Sequence, residues 1–295
     1  AVVAWGGEDA DPPVYGKVYV AIKPTSGSVL SDSSKTFVQD SILNKKNVVG
    51  ISPVIVDPDY MYLKVNSTVK YDSGMTTNSA SVLKSTVTTA VTDFGDTNLK
   101  NFDKSFRYSK LIQAIDEAEV SVKSNQTSLQ LKRYLYPLLG SSGAYTLPFS
   151  NQVYHPSNNF WGAVTSGKFG YYDSANTLWD ECRVQDNNGI LEVYRTSGED
   201  RIIVNNNVGT MTYLTGKMEL KDYKPISVGS ETTGNTTQLE FFVTPSSSDV
   251  NPLREQIILI ESDDITITML DDAGTGTYVE GTIATTDGTT LSTGY

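Results

Sequence analysis

One histidine and one cysteine limit the chemistry open to this chain. His155 stands in Tyr154-His155-Pro156, a loop context, with no second histidine to share a metal, whereas zinc sites need about four N, S or O ligands. Cys182 follows Asp180-Glu181, whose charges raise a thiol pKa, so an inert, partly buried thiol is expected and not a nucleophile. Carboxylates pair at Asp57/Asp59, Asp263/Asp264 and Asp271/Asp272. Such pairs run glycoside hydrolysis when their separation and pKa values are suitably split. Here Asp57 and Asp59 flank Pro58 in a turn, and Asp263-Asp264 lies between two apolar runs, as a hairpin turn would. Trp5-Gly6-Gly7-Glu8-Asp9 lacks the strand-to-helix setting of a nucleotide loop. No Gly-rich phosphate loop, Gly-x-Ser-x-Gly elbow or EF-hand loop occurs. No catalytic residue, cofactor site or metal site is assigned, and an enzyme is not expected.

Aromatic residues carry more signal. Tyr154, Phe160, Trp161, Phe169, Tyr171, Tyr172 and Trp179 crowd one stretch of chain. Clusters of this kind stack on sugars or anchor protein interfaces, with plain core packing as the alternative. Phe160, Trp161, Tyr171, Tyr172 and Trp179 are the candidate interface residues, because no helical partner for them is apparent nearby.

The elements that must position these residues follow from periodicity. At 295 residues and 38% hydrophobic content, two cored domains are expected. Val14 to Lys23 alternates as a half-buried strand. Ser34 can cap a helix bearing Phe37, Val38 and Ile42. Ile51 to Val56 and Tyr60 to Tyr71 are strands separated by the Asp57-Pro58-Asp59 turn. Asn78 or Ser79 caps a second helix with Leu83, Val87, Val91 and Phe94 at helical spacing and Gly95 as its stop. A third helix spans Ser105 to Ala118. Strands at Val120 to Val122 and Ser128 to Tyr136 enclose a turn at Ser124-Asn125-Gln126. This order predicts an α+β sandwich over 1–136, with helices on one face of a mostly antiparallel sheet.

Pro137 to Pro148, rich in Gly and Ser, reads as a connector. Beyond it short apolar segments separated by turn signals such as Asn188-Gly189 predict a β-rich domain over 137–270. The Thr- and Gly-rich stretch 271–295 predicts an extended C-terminal arm. Charge changes at the same point. Residues 1–136 hold 15 basic and 14 acidic side chains, and residues 137–295 hold 8 and 20, a net of −12. No compact positive field exists for phosphate backbones, so nucleic acid is not an expected partner. No apolar run approaches the roughly 20 residues of a membrane helix, and no membrane partner is expected. The start, Ala1-Val2-Val3-Ala4-Trp5, has neither initiator Met nor basic n-region, so it is not a signal peptide and reads as the middle of a longer chain. A lone cysteine forbids an internal disulfide and suits assembly in a reducing cytoplasm.

Two stretches resemble a known family. Trp5-Gly6-Gly7-Glu8-Asp9, Pro12-Pro13 and Tyr15-Gly16-Lys17, leading into a strand that ends Ile22-Lys23-Pro24, are similar to the inner-ring baseplate wedge proteins of T-even-like contractile-tailed phages. Ile51-Ser52-Pro53-Val54-Ile55-Val56-Asp57-Pro58-Asp59-Tyr60 resembles the strand-turn-strand of the baseplate J-like domain of such tails. The resemblance covers roughly residues 5–75 and extends more weakly over Gly216 to Leu270, including Asn251-Pro252-Leu253-Arg254. It implies a structural virion protein of the tail baseplate, assembled in the host cytoplasm, that dimerises and joins wedges into the inner ring. Its implied partners are itself and neighbouring wedge proteins, the latter bound through a helical region upstream of Ala1. No cofactor is implied. Two other readings are a carbohydrate- or receptor-binding tail module, favoured by the aromatics, and a tail-associated glycosidase, favoured only by the acidic pairs.

Overall fold

The computed structural model describes residues 1–10, 12–46, 48–157, 160–229 and 237–272. The chain opens with β1 (Val2–Gly6), β2 (Lys17–Ile22) and, after a helical segment, β3 (Ser52–Val56). These form a small sheet of their own, β1 antiparallel and β3 parallel to β2. Gly6-Gly7 has a structural role. A Cβ on Gly7 would lie 2.0 Å from the Val14 carbonyl oxygen, so only glycine lets the chain fold back there. The helical segment begins with α1 (Asp32–Val38), passes through a π turn (Gln39–Leu43) and ends in α2 (Asn44–Lys46). Its cap is Ser31, whose hydroxyl accepts from the Ser34 amide at 3.3 Å, three residues earlier than expected, because Ser31 has the extended backbone of an N-cap.

The main sheet starts with β4 (Asp59–Tyr71), whose alternation buries Met61, Leu63, Val65, Ser67, Val69 and Tyr71. The Asp57-Pro58-Asp59 turn thus carries the chain from one sheet to another, and β3 and β4 do not pair with each other. Then α3 (Ala80–Asn98), capped by the Ser79 hydroxyl, buries Leu83, Val87, Val91 and Phe94. Gly95 does not stop this helix. It lies inside it against Ile260, where an added Cβ would approach Ile260 Cβ to 3.2 Å. After α4 (Tyr108–Asp116), which buries Leu111 and Ile115, β5 (Val122–Leu135) runs unbroken. The turn expected at Ser124-Asn125-Gln126 is absent, for these residues pair with Lys70, Val69 and Thr68. Asn125 is held extended by tertiary partners: its amide donates to Asp116 Oδ1 at 2.8 Å, and its oxygen accepts from Thr127 Oγ1 at 2.6 Å.

The second half supplies β6 (Gly143–Pro148), β7 (Trp161–Ser166), β8 (Phe169–Tyr172), β9 (Leu178–Asn187), β10 (Ile190–Ser197), β11 (Asp200–Thr212), β12 (Lys217–Tyr223), β13 (Pro225–Val228), β14 (Leu239–Val243), β15 (Gln256–Leu259) and β16 (Ile265–Asp271). Asn188 and Gly189, with φ of 50° and 86°, make the expected two-residue hairpin between β9 and β10. The connector expected over Pro137 to Pro148 is half strand, since β6 pairs with β12. One sheet runs β15-β4-β5-β14-β7-β9-β10-β11-β12-β6, so β14 bridges the expected boundary between 1–136 and 137–270. Its burial on both faces, Leu239 to Val243 all inside, explains why that strand reads as a continuous apolar run. A single apolar cluster follows the sheet from Met61 and α3 through Phe169, Tyr223 and Phe241 to Ile267. The small sheet meets it through a separate contact of Ala21, Phe102 and Ile257.

Asp263-Asp264 is not a hairpin turn. Both β15 and β16 run parallel to β4 on one edge, joined by a 3-10 turn at Ser262–Asp264. Of the expected arm, Asp271 closes β16, and 273–295 lie outside the described residues.

Candidate functional site

The aromatics named from the sequence do not form one patch. β8 and β9 are joined by a turn that Asp173 organises, its Oδ1 accepting from the Ala175 and Thr177 amides at 2.9 and 2.8 Å. Its Oδ2 accepts from Trp179 Nε1 at 2.9 Å, and these donors, the indole first, hold the Asp173 carboxyl below its usual range. Trp179 is half-buried in that hydrogen bond, with the Arg195 guanidinium 5.5 Å from its ring. Tyr171 faces inward, 5% exposed, packed with Phe169 and Tyr223, so it contributes to this chain's own core and not to an open surface. Phe160 is half-buried, edge-on to Tyr154 at 5.6 Å.

Trp161 and Tyr172 do reach the surface, 57% and 38% exposed. Arg201, which sequence reasoning missed, links the first of them to its surroundings. Its guanidinium lies 4.9 Å from the Trp161 ring and 4.7 Å from that of Tyr194, and it pairs with Glu192 at 3.3 Å. Tyr172, Glu192 and Ile203 line a neighbouring open groove of 660 Å³. Strands β7, β10 and β11 therefore bring Trp161, Tyr194 and Arg201 together beside that groove. Arg201 and Ile203 were hard to find because the alternation of β11 is interrupted by register shifts against β10.

A second open surface lies on residues 1–56. The helical segment from Asp32 to Lys46 has no fully buried residue, and Phe37, 63% exposed, stands there with Ile42, Val48, Val49 and Ile51 also exposed. The segment is tied down by polar contacts, Lys35 with Asp57 at 2.8 Å and Gln39 with the Pro53 carbonyl at 2.7 Å.

The residues screened for chemistry have structural partners. His155 stacks on Tyr213 at 3.9 Å beside an open groove of 670 Å³. Cys182 is buried and its Sγ donates to the Trp179 carbonyl at 3.4 Å; burial pushes the thiol up to about 11. Asp59 receives a two-pronged contact from Arg133 and a hydrogen bond from Gln256 at 3.0 Å. Asp271 accepts from the Ser73 amide at 3.3 Å. Among the described residues no group of three or more His, Cys, Asp or Glu could hold a metal, and no helix is long and apolar enough to cross a membrane.

Comparison with known proteins gives this scaffold a context. Residues 1–56 match the family model described as baseplate structural protein gp6, C-terminal domain I, and residues 59–134 match that of C-terminal domain III. The gap between the matches falls where the chain leaves the small sheet for β4. Both models belong to a baseplate structural protein, so the first 134 residues are similar to parts of such a protein. The chain is also similar to a baseplate wedge protein of a T4-like phage. It is 26% identical over 138 residues to baseplate wedge protein gp6 of Enterobacteria phage T4, across 47% of this chain and 21% of that relative. The chain thus spans about a fifth of the length of the curated relative it matches.

Proposed function

We propose that this chain is a self-associating structural element of a contractile tail baseplate, binding copies of itself and neighbouring wedge proteins to join the wedges into the inner ring around the tail tube. The observation that carries the reading is the uncovered helical segment at 32–46, inside the part that matches C-terminal domain I. Isolated helices shorter than about 12–15 residues are marginal in water and draw their stability from packing an apolar face. A segment that leaves Phe37 and Ile42 in solvent is suited to a partner that covers them. The Trp161–Arg201 face, with Tyr172 beside it, is the second contact in this reading, and Phe160 and Trp179 support it from below. Residues 59–134, with β4 and β5 covered by α3 and α4, are the part we read as baseplate J-like.

Light scattering on the chain and on a Phe37→Asp variant tests the reading. The average mass of the unaltered chain should rise with concentration, and the variant should need a higher concentration to reach the same mass. Identical masses for both at every concentration would remove the helical segment from the interface. A second reading, a carbohydrate-binding tail module, is favoured by the groove beside Tyr172, where Glu192 and Asn205 place polar groups next to an aromatic ring. A glycan array separates the two, since specific glycan retention is expected only from the second.

A further inference from the structure

We propose that Lys132 and Asp264 become joined by a side-chain amide, an intramolecular isopeptide cross-link between β5 and the turn that precedes β16. Both side chains are fully buried, and Lys132 Nζ touches Asp264 Oδ2. Neither oxygen of this carboxyl receives a hydrogen bond of good geometry among the described residues, and the amine is the cation in contact with it. A charged carboxylate held this deep without hydrogen-bond donors is costly. Burial accordingly pushes the Asp264 carboxyl above its ordinary range, towards the neutral acid from which an amide forms. The Tyr62 and Tyr134 rings enclose the amine, their centroids 5.1 and 4.5 Å from Nζ. Tyr134 also supplies a proton route. Lys132 Nζ donates to its hydroxyl at 2.6 Å, and that hydroxyl donates to Glu261 Oε2 at 3.2 Å. Glu261 Oε2 lies 3.6 Å from Nζ, and its side chain is part-exposed, giving the site an outlet to solvent.

The step balances without an oxidant or co-reactant. Proton transfer from the Lys132 ammonium to the Asp264 carboxylate gives an amine and a carboxylic acid. The nitrogen lone pair forms a bond to Asp264 Cγ, and the Cγ–OH bond breaks. A second proton, shed by nitrogen to Glu261 through Tyr134, balances the one taken up by the departing hydroxyl, and one water molecule leaves. In this scheme Lys132 is the nucleophile, Asp264 the electrophile, and Glu261 the acid–base group. The product would fasten β16, which lies on the outer edge of β4, directly to β5 on the other side of β4.

Intact mass spectrometry of the full chain under denaturing conditions tests the proposal. The expected mass is one water lower than the sequence mass, with a digest fragment that contains both Lys132 and Asp264. A Lys132→Arg variant, shown to be folded by circular dichroism, should have its full sequence mass. A full mass for the unaltered folded chain would overturn the proposal and leave the two groups as a buried ion pair. A water loss mapped to any other residues would overturn it equally. Glu261→Gln should slow the appearance of the cross-link by about 100-fold, the usual scale of acid–base assistance. An unchanged rate would overturn the role given to Glu261.

Discussion

Trp161 is a large aromatic residue at the surface, and its environment decides how it is used. The Arg201 guanidinium covers one part of the ring and leaves 57% of the residue open, as an interface anchor requires. If Trp161 is a hot spot of self-association, Trp161→Ala should weaken it by about 2 kcal/mol or more, measured from the concentration dependence of mass. Tyr171→Phe should leave association unchanged, because that ring lies inside its own core. Cys182, with its thiol pushed up to about 11 by burial, should resist a thiol reagent at pH 8 in the folded chain and react on unfolding. Replacing His155 or Cys182 by Ala should alter stability slightly and leave baseplate assembly intact. Loss of infectivity from folded protein in normal baseplates would show that one of them does chemistry. At this scale the sequence named Trp161 and Tyr172 but could not separate them from Tyr171. An aromatic run in a β-rich stretch alternates between faces, and which face is inside depends on the strands opposite. The meeting of Lys132 with Asp264 was not legible either, since residues far apart in the chain meet only when β5 and β16 flank β4.

Elements were legible where periodicity was long. The 3.6 period of α3 and the alternation of β4 gave both elements, because each packs one stripe against a single neighbouring layer. Local turn chemistry misled where tertiary contacts overrode it. Gly95 continues its helix because Ile260 occupies the space a side chain would need, and Ser124-Asn125-Gln126 remain extended because β4 supplies their ladder. Gly95→Val should therefore cost about 1–3 kcal/mol by overpacking, despite the better helix propensity of valine in an exposed position, and urea unfolding would measure it. Charge and composition change at 137–148, yet the sheet passes across this point through β5 and β14. Within the described residues, limited proteolysis should cut first in the exposed stretch around Leu138 and Leu139, and should spare β4. Early cleavage within 59–71 would mean that β4 is not the buried centre of the sheet.

For the molecule as a whole, charge and exposed apolar surface act in opposition. The formal net charge is −11, concentrated in the second half, so two copies repel each other at low ionic strength. Stable protein interfaces remove about 1,200–2,000 Å² in total from water, and the two open faces around Phe37 and Trp161 are where such an area is available. Twofold pairing is the commonest arrangement for identical chains, since one patch then serves both. A wedge-joining protein must make such a contact, whereas a monomeric tail module need not. Sedimentation velocity across a dilution series, repeated at low and high salt, tests this most directly. The account predicts a reversible monomer–dimer equilibrium that tightens as salt screens the acidic halves. A chain that remains monomeric at high concentration and high salt would contradict the proposal that this part of the protein closes the ring.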